Sequence, residues 1–240
     1  MTKGNMYEDA IYRWNVFVGC EFDCCYCKKS FKAQMKRQKH MIDKNGRERG
    51  CQECYDYKPH FHYDRLSKKY MDTHFPQTEG DQFIWIGSSG DISFIDKSEM
   101  LLILMAIRKY PDRTFFFQTK NPMCFQEWEF PDNVILGITL ESNRHYPTIS
   151  KASAPWVRFR AFSIINHLRK SVTIEPILKF DFINLYGWIL ELYPERVYIG
   201  YDSKKNNLPE PPLKEVRKLI TNLKRLTKVK EKLMRKAWDE

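Results

Sequence analysis

Short apolar runs alternate with stretches of helical period along this chain, and the alternation sharpens after Gly80. Residues 14–19 (WNVFVG) are aromatic and β-branched and end on glycine, which predicts a first strand. Further strands are predicted at 83–87 (FIWIG), 114–118 (TFFFQ), 133–140 (NVILGITL), 171–178 (SVTIEPIL) and 196–201 (RVYIGY). Asp96 and Glu99 have the spacing of a capping box ahead of a helix over 100–110, which Pro111 ends. Ser153 is placed to cap a helix over 155–169, and residues 183–192 read as another. Apolar residues at 213, 216, 219, 220, 223 and 226 predict an amphipathic helix over 212–226, opening a basic helical segment that occupies 212–240.

Six strands, most of them separated by helices, predict right-handed βα units and a parallel sheet. Such a sheet binds ligands at the C-terminal ends of its strands. The residues expected there are polar or charged: the cysteines from Cys20 onward, Asp91, Thr119 and Lys120, Glu141, Glu175 and Asp202. Residues 28–39 read as a basic helix, and 43–80 are polar and irregular. Together, residues 28–80 look like an insertion after the first strand rather than an independent domain.

The length of 240 residues suits one domain with such an insertion. The longest apolar stretch, Met100 to Ile107, is far too short to span a bilayer, and no signal peptide opens the chain. The expectation is a cytoplasmic protein with no membrane partner. Forty basic against 30 acidic side chains give a net charge of +10, which tilts the expected partner toward a polyanion such as DNA or RNA. The seven cysteines lie at 20, 24, 25, 27, 51, 54 and 124, six of them within the first 54 residues. Dense local cysteines in a reducing compartment point to metal or redox chemistry rather than a disulfide framework.

Cys20, Cys24 and Cys27 have the spacing C-x3-C-x2-C. Three thiolates on one short loop can ligate three irons of a [4Fe–4S] cube and leave the fourth open. This spacing follows the first predicted strand, with an aromatic residue, Tyr26, before the third cysteine. In these respects the chain resembles the radical S-adenosylmethionine superfamily over roughly residues 12–202. The segments TFFFQTKNP, LGITLES and VTIEPIL are similar to uncharacterised phage and archaeal members, themselves loosely similar to spore photoproduct lyase.

The resemblance implies a partial (β/α)6 barrel, with Cys20, Cys24 and Cys27 as cluster ligands. Cys25 is then a bystander or a tuning residue. It implies that S-adenosylmethionine chelates the open iron, and that an electron donor such as flavodoxin or ferredoxin reduces the cluster. Reductive cleavage of the sulfonium then yields a 5′-deoxyadenosyl radical that takes a hydrogen from a substrate. The segment Gly87, Ser88, Ser89 and Gly90, followed by Asp91, sits where the family has a glycine-rich segment lining the methionine amino group, though this is not the usual GGE-like form. Glu141, Ser142 and Asn143 sit where the family places contacts to the ribose, a role open also to Thr119 and Lys120.

Cys51 and Cys54 form a second pair, followed closely by His60 and His62. Two thiolates and two imidazoles would complete a tetrahedral zinc. His40 or His74 could replace one of the two histidines in that set, because His60-x-His62 is a tight chelate. An auxiliary cluster, a redox pair or no ligand at all are the other readings. Lys120 and Glu175 are candidate catalytic residues, and Glu175 needs a partner, for which Lys120 and Arg158 are the candidates. Glu175 could hold substrate or adenosine, or form a structural ion pair. Cys124 reads as a buried structural thiol, with a hydrogen-donating cysteine near the radical site as the alternative. The basic stretch 28–39 starts beside the cysteine loop, where it could draw a phosphate-bearing substrate, nucleic acid or nucleotide. Two rivals remain. One is a radical enzyme acting on peptides, though no cysteine follows Cys124 to serve an auxiliary cluster. The other is a non-catalytic, zinc-dependent module that binds nucleic acid.

Overall fold

A computed structural model describes residues 6–240. In chain order the elements are β1 (Ala10–Trp14), β2 (Phe17–Val18), α1 (Phe31–Met35), β3 (Met41–Ile42), β4 (Glu48–Arg49), α2 (Gln52–Asp56), β5 (His60–Phe61), α3 (Lys68–His74), β6 (Phe83–Ile86), α4 (Lys97–Ile107), β7 (Phe115–Thr119), β8 (Val134–Thr139), α5 (Pro155–Ser163), β9 (Lys170–Ile174), α6 (Phe182–Leu192), β10 (Arg196–Ile199), α7 (Leu213–Leu223) and β11 (Lys228–Glu231). The sheet order is β1-β6-β7-β8-β9-β10-β11. The pairs β1–β6, β6–β7, β8–β9, β9–β10 and β10–β11 are parallel, while β2–β5 and β3–β4 form antiparallel ribbons. The fold is therefore mixed α/β with a parallel sheet, as the strand–helix alternation predicts.

The chain forms two compact units, Met1–Gln118 and Thr119–Glu240. In the first, the strands β6 and β7 are buried along nearly their whole length, because continuous apolar runs suit strands covered on both faces. Aromatic rings fill the core. Tyr7 packs edge-on against Trp85, with centroids 4.7 Å apart, and Phe75 bridges Trp14 and Phe115. The helix α4 starts on the predicted capping box of Asp96 and Glu99.

In the second unit, β8, β9 and β10 are buried throughout, and α5, α6 and α7 supply the crossovers. Phe159 of α5 stacks flat on Trp188 of α6, with centroids 4.8 Å apart. The amphipathic stripe of α7 buries Val216, Leu219, Ile220 and Leu223, each stabilising the fold by about 1.5–3 kcal/mol.

Several boundaries differ from expectation. Among the described residues the sheet has seven strands, not six. Its first strand is Ala10–Trp14 rather than 14–19, and Phe17–Val18 turns away to pair with β5. The basic stretch 28–39 is not one helix: α1 is a single turn of five residues, followed by a 3-10 turn at Lys36–Gln38. Ser153 does not cap α5, whose first turn follows Ala154 and opens on Pro155. The C-terminal segment 212–240 is not helical throughout. Its helix stops at Leu223, and Lys228–Glu231 adds the edge strand β11.

Candidate functional site

In the first unit, the insertion gathers its cysteines and histidines at one point. Cys51 is the N-cap of α2, and its sulfur accepts from the Cys54 backbone N–H at 3.4 Å, which puts both thiols on one helical turn. Tyr57 ends that turn in the left-handed region, with φ 59°, and reverses the chain. The strand β5 then runs against β2, with the His62 N–H donating to the Val16 carbonyl at 2.7 Å. Residues two apart on an extended segment share a face, so His60 and His62 both turn toward the cysteines.

The resulting distances are 3.5 Å from Cys51 Sγ to His60 Nε2, and 3.3 and 3.2 Å from Cys54 Sγ to the Nε2 atoms of His60 and His62. The two Nε2 atoms are 3.0 Å apart. Tetrahedral zinc with ordinary bond lengths would separate sulfur from nitrogen by about 3.5 Å and nitrogen from nitrogen by about 3.3 Å. His60 Nδ1 lies 2.8 Å from the Lys58 carbonyl, which can only accept. Nδ1 therefore carries the proton, and Nε2 presents its lone pair to the group. Burial, then the neighbouring Arg65 and His60, push the His62 pKa down to about 4, so its ring is neutral near pH 7. Burial, followed by the neighbouring Cys51, pushes the Cys54 thiol up to about 12, a cost that a bound cation would reverse. These four residues could hold a metal ion. His40 and His74 are not alternates: His40 lies 3.9 Å from Glu48, and His74 stacks on Tyr70.

The loop carrying Cys20, Cys24 and Cys27 starts at Gly19, which has φ +100°. A Cβ there would lie 2.3 Å from the Lys58 carbonyl carbon and 2.4 Å from Pro59 N. Only glycine fits both the backbone angle and that approach. On its other side, Gly19 donates to the Ser89 carbonyl and accepts from the Asp91 N–H, both at 3.1 Å. Cys24 is buried, while Cys20, Cys25 and Cys27 are half-buried. The Cys27 N–H closes a turn onto the Cys24 carbonyl at 2.9 Å. Burial first, and then Cys20, Cys27, Cys24 and Asp91, hold the Tyr57 phenol well above its ordinary pKa.

The segment from Gly87 to Gly90 braces this loop. The Ser88 hydroxyl and the Ser89 N–H both donate to the Asn15 side-chain oxygen, at 2.9 and 3.1 Å. A Cβ on Gly87 would strike the Phe17 ring. Asp91 accepts from the Ser93 N–H and hydroxyl, capping a 3-10 turn. The hydroxyl of Ser88 and the carboxylate of Asp91 are thus engaged in local structure.

In the second unit, Glu141 follows β8 and is almost fully buried. It takes two cations, Lys120, and Arg158 at 2.9 Å. Arg158 also donates to the Thr139 carbonyl at 2.6 Å, and its Nε is buried without a partner. The expected pairing of Glu175 with Lys120 or Arg158 is therefore corrected. Glu175 meets Lys232 at 3.0 Å, a residue supplied by the segment after β11, which the sequence does not mark as a strand. Thr119 accepts from the Asn121 N–H. The Ser142 hydroxyl donates to the Lys179 carbonyl at 2.6 Å. The Asn143 amide exchanges hydrogen bonds with Asp181, and Asp202 accepts from Lys204 and Asn206 in its own loop. Cys124 is half-buried rather than buried, on the 3-10 turn Pro122–Phe125. Among the described residues, no helix is long and apolar enough to cross a membrane.

No protein-family model matches this chain, and no curated protein matches it.

Proposed function

We propose that this protein is a radical S-adenosylmethionine enzyme in which Cys20, Cys24 and Cys27 hold a [4Fe–4S] cluster. The observation that carries the reading is the set of three cysteines in C-x3-C-x2-C spacing on one loop, braced at Gly19 by Ser89 and Asp91. The donor set fits: three thiolates leave one iron open for the amino and carboxylate groups of S-adenosylmethionine. Bound there, the cluster would supply the electron that cleaves the sulfonium and starts hydrogen abstraction from the substrate.

The chain's own residues hold and shield that loop. Gly19 admits the Lys58–Pro59 backbone, Asn15 ties down Ser88 and Ser89, and Cys24 is buried. The finer fold reading, a partial (β/α)6 barrel, belongs to the same proposal and is supported by the parallel pairing and the helical crossovers. So does zinc at Cys51, Cys54, His60 and His62, supported by the sulfur–nitrogen distances of 3.2, 3.3 and 3.5 Å and the nitrogen–nitrogen distance of 3.0 Å. We assign the substrate to nucleic acid or nucleotides, on the net charge of +10 and the exposed Lys28, Lys29, Arg37 and Lys39 that follow the cysteine loop. A soluble electron donor completes the reading.

The test is anaerobic reconstitution with iron and sulfide, followed by metal analysis and an assay of 5′-deoxyadenosine. About four irons per chain and reductant-dependent deoxyadenosine, both lost in the triple variant Cys20→Ala/Cys24→Ala/Cys27→Ala, are expected. Cys25→Ala is expected to keep both. Zinc without iron, and no cleavage, would replace this reading with the zinc-dependent nucleic-acid-binding module.

A further inference from the structure

The residues before Cys20 are held from two sides within the first unit. On one side are Ser89 and Asp91, which bond Gly19. On the other is the segment that carries the Cys/His group: Lys58 and Pro59 abut Gly19, and β5 pairs with β2. That segment has little of its own to hold it. The helix α2 has five residues and β5 has two, both far below the length that is stable alone. Besides the Lys58 N–H bond to the Glu53 carbonyl at 3.0 Å, what ties α2 to β5 is the convergence of Cys51 and Cys54 with His60 and His62. His60 in turn bonds Lys58, the residue whose carbonyl meets Gly19.

We infer that a metal ion at Cys51, Cys54, His60 and His62 is a clamp that sets the conformation of the cysteine loop, with Lys58 and Pro59 as the positioning segment. Where a short segment lacks a core, metal binding supplies its folding free energy. Here that free energy would be transmitted through the Lys58–Pro59 backbone to Gly19, the residue next to Cys20. The consequence for cluster assembly rests on the radical-enzyme reading, but the clamp itself does not.

The test uses the full-length chain, reduced, loaded with zinc and free of iron. Hydrogen exchange is followed at the Gly19 and Asp91 amides, which hold the loop from the side opposite the metal. Removing zinc with a chelator, or the double substitution His60→Ala/His62→Ala, is expected to speed exchange at these amides at least tenfold. Amides of β8, β9 and β10 should be unchanged. Coupling between two sites is reciprocal, so Gly19→Ala, which pushes on Lys58 and Pro59, should weaken zinc binding about tenfold in competition with a chelator. Failure of the chain to retain zinc would overturn the clamp. So would unchanged exchange at Gly19 and Asp91 after zinc has left, or equal acceleration across the whole chain. A folded Gly19→Ala variant with full zinc affinity would overturn it as well. None of these readouts involves iron or S-adenosylmethionine, so the clamp and the radical-enzyme reading stand or fall separately.

Discussion

Glu141 and Glu175 follow adjacent strands of the second unit, β8 and β9, yet their environments differ sharply. Glu141 is a buried carboxylate shared by two cations, Lys120 and Arg158. Removing one member of a buried ion network exposes the remaining charges to the full desolvation cost. Glu141→Ala, which brings Lys120 and Arg158 together without the carboxylate both hold, should therefore cost about 3–5 kcal/mol in urea unfolding. A loss below about 1 kcal/mol would mean that the network is solvated like a surface pair. Glu175 instead has one cation, Lys232, and a second carboxylate oxygen that is buried without a partner. Burial raises its pKa, with Asp202 adding to the rise and Lys232 opposing it. A carboxylate raised on folding takes up protons in the native state, so its ionisation lowers stability as pH climbs from the unfolded pKa through the folded one. Glu175→Gln should then gain stability relative to the parent between about pH 4 and about pH 7. Parallel unfolding curves at the two pH values would show it, and a constant difference would sink the assignment.

At the scale of elements, what could be read in the sequence follows from burial. The strands β6 to β10 are buried almost throughout and are legible within a residue or two, except that the predicted strand 171–178 is longer than β9. The two edge strands were not. β1 alternates buried and exposed positions, with Ile11 and Arg13 outward, and β11 is the charged run KVKE. Edge strands carry charge because only one side is paired, which removes the apolar signal that marks a strand. The Cys/His group was legible as a candidate ligand set from its spacing, with His60 and His62 as the first choice, while the ligand itself stayed open. What the sequence could not do was exclude His40 and His74 as alternates, because that depends on the β2–β5 pairing. Helix caps give a direct comparison. Asp96→Ala removes the N-cap of α4 and should cost about 1 kcal/mol. Ser153→Ala should cost less than about 0.5 kcal/mol, because Ser153 does not cap α5. Equal losses in thermal or urea unfolding would mean that the caps contribute nothing specific.

At the scale of the whole molecule, the net charge of +10 matters only where it is exposed together. Within residues 28–39 the basic side chains do not all serve one purpose. Lys32 pairs with Asp23 at 2.7 Å, and Lys36 lies 4.0 Å from the Tyr55 ring centroid while donating to the Tyr55 carbonyl. Those two hold the insertion together. Lys28, Lys29, Arg37 and Lys39 are exposed and follow the cysteine loop, so they are the side chains that a phosphate backbone could reach. Each phosphate neutralised on a single strand releases counterions and adds about −0.7 to the slope of log affinity against log salt. The triple charge reversal Lys28→Glu/Lys29→Glu/Arg37→Glu should therefore flatten that slope by about 2 for a single-stranded oligonucleotide, measured by fluorescence anisotropy from low to moderate salt. Zinc content should be unchanged, since none of the three touches Cys51, Cys54, His60 or His62. An unchanged slope would move the polyanion contact elsewhere, and the basic residues of 213–236 would be the next surface to reverse.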